Sequence, residues 1–320
     1  MQMVEFIVYD HVVANNPQAK HILKHFKQVV SSKQKLVYSD FEIKIPESIR
    51  CSGEMTTSVG NGLANFYLML FLSTLHGDPE PYIIVEGDDS LVKTNADLTD
   101  KMFANLGFTI KLEKHTSFNT ASFCGIIFDF DSLTNIIDPI KTILKSPWAS
   151  YKYAFAGNKI LKSLLRAKAL SLAHQNPGCP IVDAYSKYLL RMTNDVNPNF
   201  NDIDPYELAR LGDLKNIPHK EVQMSSRSLM FEKFNIPIEH QLYIENLFNN
   251  KDDLLPFDDN IIISYCNSDQ LDYARNYQYQ VEYVQGPTSI YYPIALTNQD
   301  CNEILQFLNF NLKKRAGGAR

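Results

Sequence analysis

Several things are scarce in this chain of 320 residues, and each scarcity argues against something. Cysteine occurs five times, at Cys51, Cys124, Cys179, Cys266 and Cys301, with no C-x-x-C pair. That odd, dispersed set fits neither a zinc ribbon nor a disulfide framework, and suits reduced thiols in a cytosolic setting. Long apolar runs are missing too: the longest, Phe66–Leu72, is far too short to cross a bilayer. There is no excess of positive charge, since 31 Lys and Arg stand against 36 Asp and Glu, a net charge of −5. A broad basic surface for nucleic acid is therefore not expected, although basic residues can be concentrated in a channel while the outside stays acidic. What is present, 45% hydrophobic and 21% charged residues, is the composition of a globular protein with one large core or two ordinary ones.

The informative stretch is Cys51–Leu91. It opens with Ser52-Gly53-Glu54-Met55-Thr56-Thr57-Ser58-Val59-Gly60-Asn61, a Ser-Gly-x3-Thr-x3-Asn pattern, and ends in Tyr82-Ile83-Ile84-Val85-Glu86-Gly87-Asp88-Asp89-Ser90-Leu91. The second segment predicts a β-hairpin whose tight turn carries two adjacent carboxylates, with Gly87 allowing the turn and apolar neighbours burying the strands. Two carboxylates fixed side by side are natural ligands for a hard divalent cation such as Mg2+. Gly-Asp-Asp alone arises by chance in about one chain in ten of this length, whereas the four fixed positions of the first motif should do so in only about 3 in 1,000.

Together, Ser52-Gly53, Thr57 and Asn61 followed by Gly87-Asp88-Asp89 resemble motifs B and C of viral RNA-dependent RNA polymerases of the positive-strand, tombus-like and noda-like group. The resemblance implies an α+β fold: a right-hand palm, an RRM-like antiparallel sheet with helices, over residues 1–138, and a mostly helical thumb and C-terminal region over 139–320. It implies Mg2+ or Mn2+ as cofactor, with Asp88 meeting the metals directly and Asp89 as a weaker ligand or an outer-shell partner. It assigns Ser52, Gly53, Thr57 and Asn61 to the incoming nucleotide. Hydroxyl and amide side chains can read a 2′-hydroxyl, and Gly53 leaves the loop free to move. Thr57 can equally be read as a helix cap. A motif D lysine serves the family as general acid; Lys111 and Lys114 both compete for that role, with Lys114 preferred for its place at the end of a strand.

The rest of the chain follows the same order. Two helices are expected over residues 1–30, broken at Asn15-Asn16-Pro17, then a hairpin over residues 36–45. A core helix follows through Leu63, Phe66, Tyr67, Leu70, Phe71 and Leu75. After the Gly-Asp-Asp hairpin comes a helix across Ala96–Asn105, then paired strands at residues 108–112 and 121–128. Lys159, Lys162 and Arg166 form a basic stripe on one helix face, suited either to a product duplex or to solvent. Tyr273, Tyr277, Tyr279, Tyr283, Tyr291 and Tyr292 could stack on bases or simply pack. Lys313, Lys314, Arg315 and Arg320 make a short basic tail.

One family feature is missing. No Asp-x4-Asp pattern of motif A precedes Ser52. The expectation is a palm and thumb without motif A and fingers, inactive alone, with a second chain or an upstream region supplying them. The expected partners are RNA template and product strand and ribonucleoside triphosphates. The expected setting is the host cytoplasm, in replication complexes associated with membranes through other regions. The contrasting reading is a non-catalytic RNA-binding or assembly subunit of a split replicase.

Overall fold

Asn16 sets the first break in the chain, because its side chain accepts from the Ala19 N–H at 3.0 Å and so starts a new helix at Pro17. In the computed structural model this separates α1 (Gln2–Val12) from α2 (Pro17–Ser31). The structure describes residues 2–285 except 38–39, 48, 52, 55, 154, 211–215 and 255–258, and leaves out the side chains of 151, 206–207, 210 and 277–285. Ser52, the tyrosines at 291 and 292, the basic tail and Cys301 lie outside the described residues, as do the side chains of Tyr277, Tyr279 and Tyr283.

The chain forms two compact units. The first runs through Thr116 and includes Ala121–Cys124. After α2 it contains an antiparallel pair, β1 (Gln34–Val37) with β2 (Glu42–Ile45), and the long α3 (Thr57–Leu75). A second antiparallel pair follows, β3 (Tyr82–Glu86) with β4 (Asp89–Lys93), then a short α4 (Asp100–Ala104) and the two-residue β5 (Ser122–Phe123). Leu68, Met69 and Leu72 of α3 bury against Ala96, Leu98 and Phe103, with Ile83 and Val92 from the hairpin closing the cluster. Phe103 is wholly buried, worth about 2–3 kcal/mol over leaving it exposed.

Two expectations in this unit are corrected. The helix across Ala96–Asn105 is only Asp100–Ala104 long. Asp78 is the reason: its carboxylate takes the Thr94 hydroxyl and the Asn95 N–H, both at 2.7 Å, and Thr94 takes the Ala96 N–H, so those residues are committed to a turn. The strand at 108–112 has no ladder partner among the described residues, and so forms no hairpin with 121–128. Its side chains do alternate, since Phe108, Ile110 and Leu112 pack on the core while Thr109 and Lys111 are exposed. Within 121–128 the chain turns at Cys124-Gly125, both with positive φ (53° and 75°).

The second unit takes in Ser117–Thr120 and the chain from Gly125. It has an antiparallel hairpin, β6 (Ile126–Asp129) with β7 (Thr134–Ile136), followed by helices. These are α5 (Pro139–Lys145), α6 (Asn158–Gln175), α7 (Val182–Met192), α8 (Pro205–Arg210), α9 (Met224–Phe234), α10 (Ile238–Asn250), α11 (Asn260–Ser264) and α12 (Ser268–Gln285). Its core joins Ile127 and Ile136 to Ile143, Leu165, Tyr185, Leu189, Met230, Ile244 and Phe248. Helices α6 and α7 are antiparallel neighbours across Asn176-Pro177-Gly178, and Arg166 locks them by donating to the Leu190 and Thr193 carbonyls at 3.2 and 2.9 Å. The molecule is thus a mixed α/β protein, helix-rich with small antiparallel sheets.

Candidate active site

Gly87 and Asp88 occupy the two central positions of the β3–β4 turn. Gly87 has φ +57°, the left-handed conformation that the first position of such a turn demands and that glycine adopts without strain. Both Asp88 and Asp89 are exposed. Glu86 lies directly opposite Asp89 in the register, so two like charges face each other, which destabilises a hairpin unless each finds a donor. Each does. Ser58 of α3 donates its hydroxyl to Glu86 Oε1 at 3.1 Å. The Cys124 thiol hydrogen-bonds Asp89, and burial, followed by the charges of Asp89 and Glu86, pushes that thiol above its ordinary pKa. Asn65 of α3 donates to the Asp88 main-chain carbonyl at 2.9 Å. The acidic turn is therefore held to α3 from behind while its carboxylates face out.

The loop before α3 closes on itself. Glu54 accepts the Cys51 N–H at 2.9 Å through its side chain and returns its own N–H to the Cys51 carbonyl at 3.3 Å. Gly53 takes φ +90° here, a conformation that strains side-chain-bearing residues. Thr57 stands at the first position of α3, but its hydroxyl donates to the Cys51 carbonyl at 3.1 Å and the N-cap is Thr56, without a side-chain cap bond. The cap alternative for Thr57 is thereby set aside. Asn61 lies one turn further on, half-buried, and its Oδ1 accepts from Arg50 Nη1 at 2.9 Å.

That bond belongs to a buried group that sequence reasoning missed. Arg50 forms an ion pair with Glu5 of α1, which is only 4% exposed, and Tyr9 donates its hydroxyl to Glu5 Oε1 at 2.6 Å. Burial and then that bond keep the Tyr9 phenol protonated far above its usual range. Gly60 makes the room: a methyl group there would overlap the Arg50 guanidinium and come within 2.6 Å of the Glu5 carboxylate. A glycine inside a helix costs about 1 kcal/mol relative to alanine, so Gly60 was the available signal that something passes close by.

The two candidate lysines are each engaged elsewhere. Lys114 pairs with Asp97, and Lys111 with Glu113 at 2.5 Å; neither forms an ion pair with Asp88 or Asp89 among the described residues. The donor chemistry of Asp88 and Asp89, hard oxygens on a fixed turn, suits a divalent cation. A pair is not a full set, however: no group of three or more His, Cys, Asp or Glu side chains that could hold a metal ion occurs among the described residues. In the second unit the basic stripe is largely used internally, because Lys162 pairs with Asp195 at 2.6 Å and Arg166 binds carbonyls, leaving Lys159 exposed. Tyr273 stacks on Trp148 with ring centroids 4.2 Å apart.

An α3 helix clamped behind an exposed Asp-Asp turn, with an anchored amide one helical turn in, is an arrangement suited to nucleotide chemistry. A family model described as viral RNA-dependent RNA polymerase matches residues 3–253, and the chain belongs to that family, in its tombus-like and noda-like branch. The match extends well past the motifs, through α10. No curated protein and no solved structure matches the chain.

Proposed function

We propose that this chain carries the catalytic turn and the ribose-reading helix of an RNA-directed RNA polymerase that copies viral RNA. The observation that carries the reading is the anchoring of the Asp88-Asp89 turn to α3 through Asn65 and Ser58, in a chain whose family is the viral polymerases. In this reading residues 1–138 do the work of a palm and 139–320 that of a thumb. Asp88 and Asp89 would hold Mg2+ or Mn2+, which when bound lowers the barrier to attack by the primer 3′-hydroxyl and stabilises departing pyrophosphate.

The chain's own residues do the rest. Asp88 offers an exposed carboxylate, without an ion-pair partner among the described residues, on a turn whose main-chain carbonyl is tied to Asn65. Asp89, sharing its charge with the Cys124 thiol, is the weaker ligand. Ser52, Gly53, Thr57 and Asn61 take the incoming ribonucleotide, with Asn61 reading the 2′-hydroxyl. Lys114, released from Asp97, is the proposed proton donor to pyrophosphate. RNA template and product and ribonucleoside triphosphates are the partners. The carboxylate of motif A comes from a second chain or a region outside these residues, and without it this chain is silent. The setting we propose is a host-cytoplasmic replication complex, membrane-associated through other regions; no helix among the described residues is long and apolar enough to cross a membrane.

The test is RNA synthesis on a homopolymeric template with Mg2+ or Mn2+, from the chain alone and mixed with a motif-A-bearing segment of the same genome. Product from the mixture, lost by at least about 10²-fold in Asp88→Ala and by about 10-fold in Asp89→Ala, is expected. Synthesis that survives Asp88→Ala would leave a non-catalytic RNA-binding or assembly role instead.

A further inference from the structure

Resting on the polymerase reading above, we propose that Arg50 is a positioning residue for sugar selection: it fixes the Asn61 carboxamide so that its N–H donors are presented to the nucleotide. The amide oxygen of Asn61 is already taken by Arg50 Nη1 at 2.9 Å. Flipping the amide would set its NH2 against the guanidinium, donor against donor, so the flip is closed off. The orientation this fixes leaves both Nδ2 protons for a ligand, and Nδ2 can only donate, while one lone pair of the oxygen stays beside the guanidinium. The sugar group that satisfies it must accept, and a ribose 2′-hydroxyl does so while a 2′-deoxy sugar offers nothing. A selection of this kind is strong because the wrong substrate leaves a fixed donor unpaired.

The guanidinium can serve as a fixed point because it is itself held. Glu5, buried on α1, pairs with it, and Tyr9 occupies Glu5's other side. Gly60 leaves the slot through which Arg50 reaches both Glu5 and Asn61. A structural strut between α1 and α3 would use the same two arms, to Glu5 on α1 and to Asn61 on α3, so the two readings part at the ratio between nucleotides rather than at the contacts.

The test uses the full chain in the assembled RNA-synthesis reaction, comparing kcat/KM for ATP and 2′-deoxyATP. In Arg50→Lys the charge opposite Glu5 is kept, but the planar fork that sets one nitrogen on Glu5 and the other on Asn61 is lost. Gly60→Ala evicts the guanidinium while leaving every charged residue in place. Both variants should lower the ATP to 2′-deoxyATP ratio by roughly 10-fold or more, chiefly through ATP. Asn61→Ala should lower it as far, with Arg50→Lys adding nothing on top. If Arg50→Lys and Gly60→Ala lower both nucleotides in step and leave the ratio unchanged, Arg50 is a strut and the proposal is overturned. If the assembled reaction yields no product, the same ratio is read by competitive displacement of a fluorescent adenosine triphosphate from the full chain, and equal ratios in wild type and variant again overturn it. Asp88→Ala run alongside reports separately on the polymerase reading, because its survival would remove that reading whatever the ratio does.

Discussion

At the scale of single residues, the sharpest case is a charge with no ion-pair partner among the described residues. Asp129, at the end of β6, is 2% exposed, and burial by itself would raise its pKa. Hydroxyl donors outweigh burial: Ser132 at 2.5 Å, Ser226 at 2.7 Å and Ser225 at 2.8 Å, with the Asp131 and Ser132 N–H groups, bring it down to about 2. Because the folded pKa lies below the unfolded value of 3.8, the carboxylate contributes stability that is fully present above about pH 4. That contribution, about 2 kcal/mol, is lost as pH falls through about 2. Asp129→Asn should therefore cost about 1–3 kcal/mol at pH 7 by urea unfolding, and should flatten the acid limb between about pH 4 and 2. An unchanged acid limb would mean the serine hydroxyls do not hold a charge there.

Among elements, α9 and α10 are joined by a forked ion pair, with Arg227 Nη1 and Nη2 each 2.9 Å from a Glu245 oxygen and both side chains about nine-tenths buried. Glu245 also takes the N–H of Ile181, a β-branched residue at φ +66° at the N-cap of α7, so one carboxylate ties three helices. Arg227→Met leaves that carboxylate buried without its counter-charge and should destabilise by about 3–5 kcal/mol. Arg227→Met/Glu245→Gln, which keeps an acceptor for Ile181, should recover most of it; a double variant as unstable as the single one would refute the account. None of this was legible beforehand, because the partners lie 18 and 64 residues apart. The elements that were legible rest on local chemistry: Asn16-Pro17 starting α2, Gly87 turning β3 into β4, the apolar rows of α3. The misread ones failed where a distant group decides. Residues 108–112 have the alternation of a strand but no ladder partner among the described residues, and Thr94–Ala96 are drawn off by Asp78. In the candidate site the acidic turn and the Ser-Gly-x3-Thr-x3-Asn loop could be read directly, whereas Arg50 and Glu5 could not, being 45 residues apart.

For the molecule as a whole, charge is the governing fact. With a net charge of −5, the chain repels RNA at long range, so binding has to be carried by a few local contacts. The stripe on α6 offers fewer than the sequence suggested, since Lys162 and Arg166 are committed to Asp195 and to the end of α7, and Lys159 alone of the three is exposed. Each phosphate neutralised on a single strand contributes about −0.7 to the slope of log affinity against log salt. About three such contacts predict a loss of only about 20-fold in single-stranded RNA binding between 50 and 200 mM salt, against 10³-fold or more for a protein built on six to ten. Filter binding or anisotropy across that range measures the slope directly. Lys159→Ala should lower it by somewhat under one unit, while Lys162→Ala should leave it nearly unchanged, its charge being already spent on Asp195. A steep slope, with Lys162→Ala and Lys159→Ala equally damaging, would mean that the internal pairs open to meet RNA and that the acidic exterior does not limit how much backbone the protein engages.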